Sequence, residues 1–104
     1  MTVDDLKGNG KAAAIPHEHV IFTDLDGVEG VLVDLNTKKY YQLNETASLV
    51  WRGIEKRLSV DQIASEMSSS YDVPPDRALQ SVEALLHTLY LQKLARPCEL
   101  PFQV

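Results

Sequence analysis

The chain has 104 residues, 44% hydrophobic and 24% charged, with a formal net charge of −5 and a single cysteine. These values suit one globular domain with a modest core and exclude a chain disordered throughout. The acidic balance argues against nucleic acid, whose phosphates need clustered Lys and Arg, and the lone Cys98 excludes an internal disulfide or a multi-cysteine zinc site and suits a reducing compartment.

Residues 1–15, with Gly8, Gly10 and scattered charge but no periodicity, are expected to form a flexible tail. No stretch has the length of a membrane span, and the N-terminus lacks a basic region followed by an apolar one, so the expected location is cytoplasmic. The run HVIFTDL, from His19, reads as a first strand, and Asp26-Gly27 as the turn that closes it. Gly30 to Leu35 is an almost wholly apolar second strand, and Asn36-Thr37 leads into a third, Lys38 to Leu43. Links this short put the strands in meander order. The hydrophobic period then changes. Ala47, Val50, Trp51 and Ile54 fall at i, i+3, i+4 and i+7 of a first helix, with Asn44 placed to cap its start. Trp51, the only tryptophan, is central on that face and marks where the helix packs under the strands.

A second helix opens on a capping box, Ser59 with Gln62, with Leu58 placed as a hydrophobic staple. It carries Val60, Ile63, Ala64 and Met67 on one face, and the run Ser68-Ser69-Ser70 is expected to weaken its end. After the linker Asp72 to Pro75, a third helix runs to about Lys93, with Pro75 in its first turn. Ala78, Val82, Leu85 and Leu89 form its core stripe. Leu79, Leu86 and Tyr90 form an adjoining flank, with Glu83 beyond. That flank must be covered by the first helix, by the C-terminal tail or by a partner. The expected architecture is α+β and winged helix-turn-helix-like, a three-stranded antiparallel sheet followed by three helices. The domain spans 16–96, and a C-terminal tail covers 97–104.

Few residues suggest chemistry. His17 and His19 share a strand face but lack an identifiable third metal ligand. His87 reads as a surface histidine, and Cys98 has only Arg96 nearby to lower its pKa. Asp34 reads as a turn residue rather than a general base. With no P-loop, dinucleotide fingerprint or nucleophile elbow, the sequence points to neither an enzyme, a metal site nor a cofactor.

Two binding readings stand. A winged-helix DNA-binding regulator would read the groove with Arg77, Gln80, His87, Gln92 and Lys93 of the third helix, against the sign of the net charge. Alternatively, the third strand is an open edge to which an extended peptide adds as a further strand, its side chains entering an apolar trough against the third helix. The same edge or flank can pair with a copy of the chain, so a homodimer stays open.

The segments VLVDLNTKKYYQLN, ETASLVW, SVDQIASEM, YDVPPD and VEALLHTLYLQKL together resemble the PqqD-like family, the leader-recognition domains (RiPP recognition elements) of ribosomally synthesised peptide pathways. The resemblance covers about Val20 to Ala95 and is most specific at the Leu43-Asn44 step with Ala47 and Trp51 following. The HVIFTDL opening and the tyrosine-rich third strand are most similar to the stand-alone leader-binding proteins of lasso-peptide clusters. The resemblance implies a non-catalytic chaperone that binds the leader of a precursor peptide beside the third strand, against the third helix. It then delivers the leader to a leader peptidase or modifying enzyme. Carried onto this chain, it nominates Lys38, Tyr40 and Gln42 along the edge, with Tyr41 as the rival if the other strand face is used. Across the trough it nominates Leu79, Glu83, Leu86 and Tyr90. The chain departs from the family at Gln92-Lys93-Leu94, where a glycine is common, and in the length of its tail beyond Arg96.

Overall fold

A computed structural model gives the fold and describes residues 12–97. Its elements, in chain order, are β1 (Ala14–Pro16), β2 (Val20–Asp24), β3 (Gly30–Asp34), β4 (Lys39–Leu43), α1 (Glu45–Glu55), α2 (Val60–Tyr71), α3 (Pro75–Leu91) and β5 (Ala95–Pro97). β2, β3 and β4 make an antiparallel meander, so the molecule is α+β, with a three-stranded sheet followed by three helices. β1 and β5 pair as a separate antiparallel ribbon.

The period of two divides the sheet into faces. Gly30, Leu32 and Asp34 of β3 are buried, whereas Val31 and Val33 between them are only half-buried. β4 continues this pattern, with Leu43 buried, Tyr41 half-buried, and Tyr40 and Gln42 exposed. Gly30 is small because the Phe22 ring lies over it. A Cβ there would meet that ring and come within 2.8 Å of the Thr23 carbonyl oxygen.

Aspartates build both hairpin turns. Asp24 accepts the Gly27 N–H at 2.7 Å, and Asp26 accepts those of Val28 and Glu29 at 3.0 and 2.8 Å, with Gly27 at φ 88. Asp34 accepts from Asn36 and Thr37 at 2.9 and 3.2 Å, which makes it a turn residue, as the sequence suggests. Its burial alone would raise the carboxyl pKa. The two N–H bonds and nearby His19 outweigh that burial and hold it below the ordinary carboxylate value. Lys38 stands in the turn at φ 66, so β4 begins one residue later than expected.

The helix starts follow the sequence. Asn44 accepts the Ala47 N–H at 2.9 Å, and Ser59 and Gln62 complete a reciprocal capping box. The Trp51 side chain is 1% exposed, and its indole N–H donates to Glu55 at 3.0 Å, which satisfies the one polar group of a buried ring. Around it pack Leu32, Val50, Ile54, Ile63, Val82, Leu89 and Leu94. Gly53 permits the close approach of α1 and α2, since a Cβ there would lie 2.7 Å from Ile63 Cγ1.

The structure corrects the expectation at three places. The serine run does not weaken α2, which continues to Tyr71, and the Ser68 hydroxyl donates to the Val73 carbonyl at 2.6 Å. The tail expected over 1–15 and the one expected over 97–104 both lose residues to the fold. Ala13 and Ala14 are buried, Ala14 pairs with Pro97, and the Ala13 N–H donates to the Leu58 carbonyl at 2.8 Å. Two short segments without a pattern of their own gain their order from each other, a pairing across some eighty positions that local pattern does not reveal. Cys98 and the rest of the C-terminal segment lie outside the described residues.

Candidate functional site

Both flanks of the site derive from simple periodicities. On the sheet side, antiparallel pairing alternates hydrogen-bonded and non-bonded residue pairs. The Leu35 N–H donates to His19 and the Leu25 N–H to Glu29, so the odd-numbered residues of β3 bond to β2 and the even-numbered ones to β4. With Leu32 opposite Tyr41 and Gly30 opposite Leu43, the backbone N–H and C=O groups of Tyr40 and Gln42 are directed outward. Among the described residues no strand pairs with that side of β4.

Beside this edge lies a groove of about 450 Å³ between β4 and α3, lined by Glu29, Tyr41, Gln42, Leu43, Asn44, Ala47, Leu85, Thr88, Leu89, Gln92 and Leu94. It continues between the start of α1 and α3 as a second hollow of about 390 Å³. Asn44, Ala47, Leu85 and Thr88 line both parts, and Thr46, Val50, Met67, Ser81 and Ala84 complete the second. The Tyr41 hydroxyl lies 3.5 Å from Gln92 Oε1, at the long end of the hydrogen-bond range, and marks the end of the groove at the C-terminus of α3.

The structure distributes the nominated residues unevenly. Tyr41 and Gln42 line the groove. Tyr40, 73% exposed, projects from the opposite face of the sheet, so at this position the edge offers its backbone. Lys38 stands in the turn before β4, and Glu83 is exposed outside both hollows.

The other three lie away from the groove. Leu86, 4% exposed, belongs to the core. Leu79 lines a separate depression against α2 with Ala64, Ser68 and Pro75. The Tyr90 hydroxyl donates to the Ala13 carbonyl at 3.2 Å and thereby fastens β1. Leu86 of the flank is buried and Tyr90 is tied to the chain itself, and the groove uses the other shoulder of α3, with Leu85, Thr88 and Gln92. The helical wheel assigns Leu85 to the core stripe and Leu86 to its flank, and the structure exchanges them, with Leu86 buried and Leu85 half-buried at the groove. Only the positions of α1, α2 and β1 decide which leucine is covered. The i, i+3, i+7 spacing of Leu85, Thr88 and Gln92 was visible, but their mixed polarity gave no signal.

No group of three or more His, Cys, Asp or Glu gathers in metal-binding geometry among the described residues. His17 and His19 stack, with ring centroids 5.2 Å apart, and His19 Nε2 lies 3.7 Å from Asp34 Oδ1. Burial holds the His17 imidazole below its ordinary value of 6.5, with His19 and Arg96 adding to the effect.

Comparison with known proteins gives the family and similar folds. The model of the family described as coenzyme PQQ synthesis protein D (PqqD) matches residues 29–95. Among solved structures, TbiB1 in complex with the TbiA(beta) leader peptide is similar at a TM-score of 0.73 and 22% identity, covering 78% of this chain and 93% of that one. A lasso peptide synthetase B1 complexed with the leader peptide is similar at a TM-score of 0.72 and 28% identity, covering 83% and 100%. No curated protein matches the sequence. The family match spans the whole groove, from Glu29 at one lip to Leu94 at its floor, and the chain belongs to the PqqD family.

Proposed function

We propose that this protein captures the leader segment of a ribosomally made precursor peptide as a strand added to β4, and presents it to a leader peptidase or modifying enzyme. No bond is made or broken in the process. The observation that carries this reading is the outward-facing backbone of Tyr40 and Gln42 beside a groove containing Leu85, Leu89 and Leu94. The similar solved structures were determined with leader peptides bound, which supports it.

Magnitudes indicate what the groove must supply. Ordering an extended peptide costs about 1–2 kcal/mol per residue in backbone entropy, and each hydrogen bond to the edge returns only about 1 kcal/mol. Strand pairing alone therefore roughly breaks even. A Leu- or Ile-sized side chain buried against α3 adds about 1.5–3 kcal/mol, enough to turn a marginal pairing into capture. Edge and groove are both required.

The test is titration of the protein with a synthetic leader from the precursor gene beside its own, followed by amide exchange. Saturable binding at micromolar concentrations is expected, with new protection at the Tyr40 and Gln42 amides and little change at Tyr41 and Leu43, which already pair with β3. No saturation well above micromolar, or protection appearing away from β4, refutes strand capture.

A further inference from the structure

Building on the capture reading, we infer that Glu29 sets the register of the bound peptide by selecting a cationic side chain at the Asn44 end of β4. Of all the residues lining the two connected hollows, Glu29 is the only charged one. It is half-buried, and its backbone is held on both sides. Its N–H donates to Asp26 at 2.8 Å, and its carbonyl accepts from Leu25 at 3.0 Å. Among the described residues no cation pairs with its carboxylate, and Arg52 pairs instead with Asp24 at 3.3 Å. With Gly30 opposite Leu43, Glu29 stands at the level of Asn44, where the edge ends. Lys38 and Lys39 stand where it begins. The fixed charge along the edge therefore runs from positive to negative across β4.

Backbone pairing does not choose a register, because it repeats every two residues. A leader whose apolar residues recur at that spacing keeps both its bonds and its apolar contacts when slipped by two residues. The slip moves a peptide cation by about 7 Å, away from Glu29 and toward the lysines, which exchanges attraction for repulsion. Charge is what distinguishes the two registers, and it requires a Lys or Arg on the peptide where it passes Glu29.

The experiment uses the fluorescein-labelled leader from the adjacent precursor gene, with each Lys and Arg replaced in turn by Ala and by Glu. Each peptide is titrated into the native protein, Glu29→Gln and Glu29→Lys, all checked for native circular dichroism. One cationic position is expected at which the change to Ala weakens native binding about fivefold but leaves binding to Glu29→Gln unaltered. The Glu peptide at that position should recover with Glu29→Lys. If the two variants bind every peptide as the native protein does, or if a leader without Lys or Arg binds natively, the inference is overturned while capture stands. If the native pair fails to bind, both fall.

Discussion

Lys93 occupies φ 59 in the turn that ends α3, a left-handed conformation in which glycine is free of the cost an L side chain carries. The turn forms regardless. The Lys93 N–H donates to Tyr90 at 3.0 Å and the Leu94 N–H to Leu89 at 2.9 Å, which brings Leu94 back into the core. The turn thus closes with lysine in the left-handed position. His17 carries a sharper consequence. Its imidazole is held below 6.5 by burial first, then by His19 and Arg96, so the folded state binds fewer protons than the unfolded state as pH falls. Stability is therefore full above about pH 6.5 and declines as the pH drops through the lower folded value. Thermal melts from about pH 7.5 to about pH 5 are expected to show this decline, with a shallower slope in His17→Gln. Equal slopes would assign the decline to other groups.

At the scale of elements, α3 holds the decisive pair. Leu86 is 4% exposed, so Leu86→Asp buries an unpaired carboxylate. It is expected to lose about 4 kcal/mol or more, a large share of the stability of a small domain, with collapse of the circular dichroism signal. Leu85 is only half-buried and faces the groove. Leu85→Asp is expected to keep a native spectrum while weakening leader binding at least about tenfold. Were the two to behave alike, α3 would have to present a different shoulder to the groove. Binary patterning located this helix and its apolar side but placed Leu85 in the core stripe and Leu86 on the flank, the reverse of the packing.

At the scale of the whole molecule, the ribbon of β1 and β5 closes the domain. β1 supplies Ala14, fully buried, and Ala13 just before it bonds to Leu58 in the link between α1 and α2 and receives the Tyr90 hydroxyl from α3. A variant beginning at His17 loses all three ties. It is expected to unfold at distinctly lower urea concentration, by about 3 kcal/mol, with leader binding lost in proportion to the unfolded fraction. A variant as stable as the full chain would show that the ribbon is dispensable. The described residues contain no helix long and apolar enough to cross a membrane.

Local chemistry determined much of this protein by itself. The meander, the Asn44 and Ser59 caps and the aspartate turns follow from interactions within short stretches of chain, and the helical period around Trp51 marks the face that packing then buries. Tertiary structure alone decided the rest. The order of residues 13–16 depends on a partner strand at the far end of the chain, and the groove depends on which shoulder of α3 the other helices leave uncovered. The helical wheel gives Leu85 to the core stripe and Leu86 to the flank, and packing reverses the two.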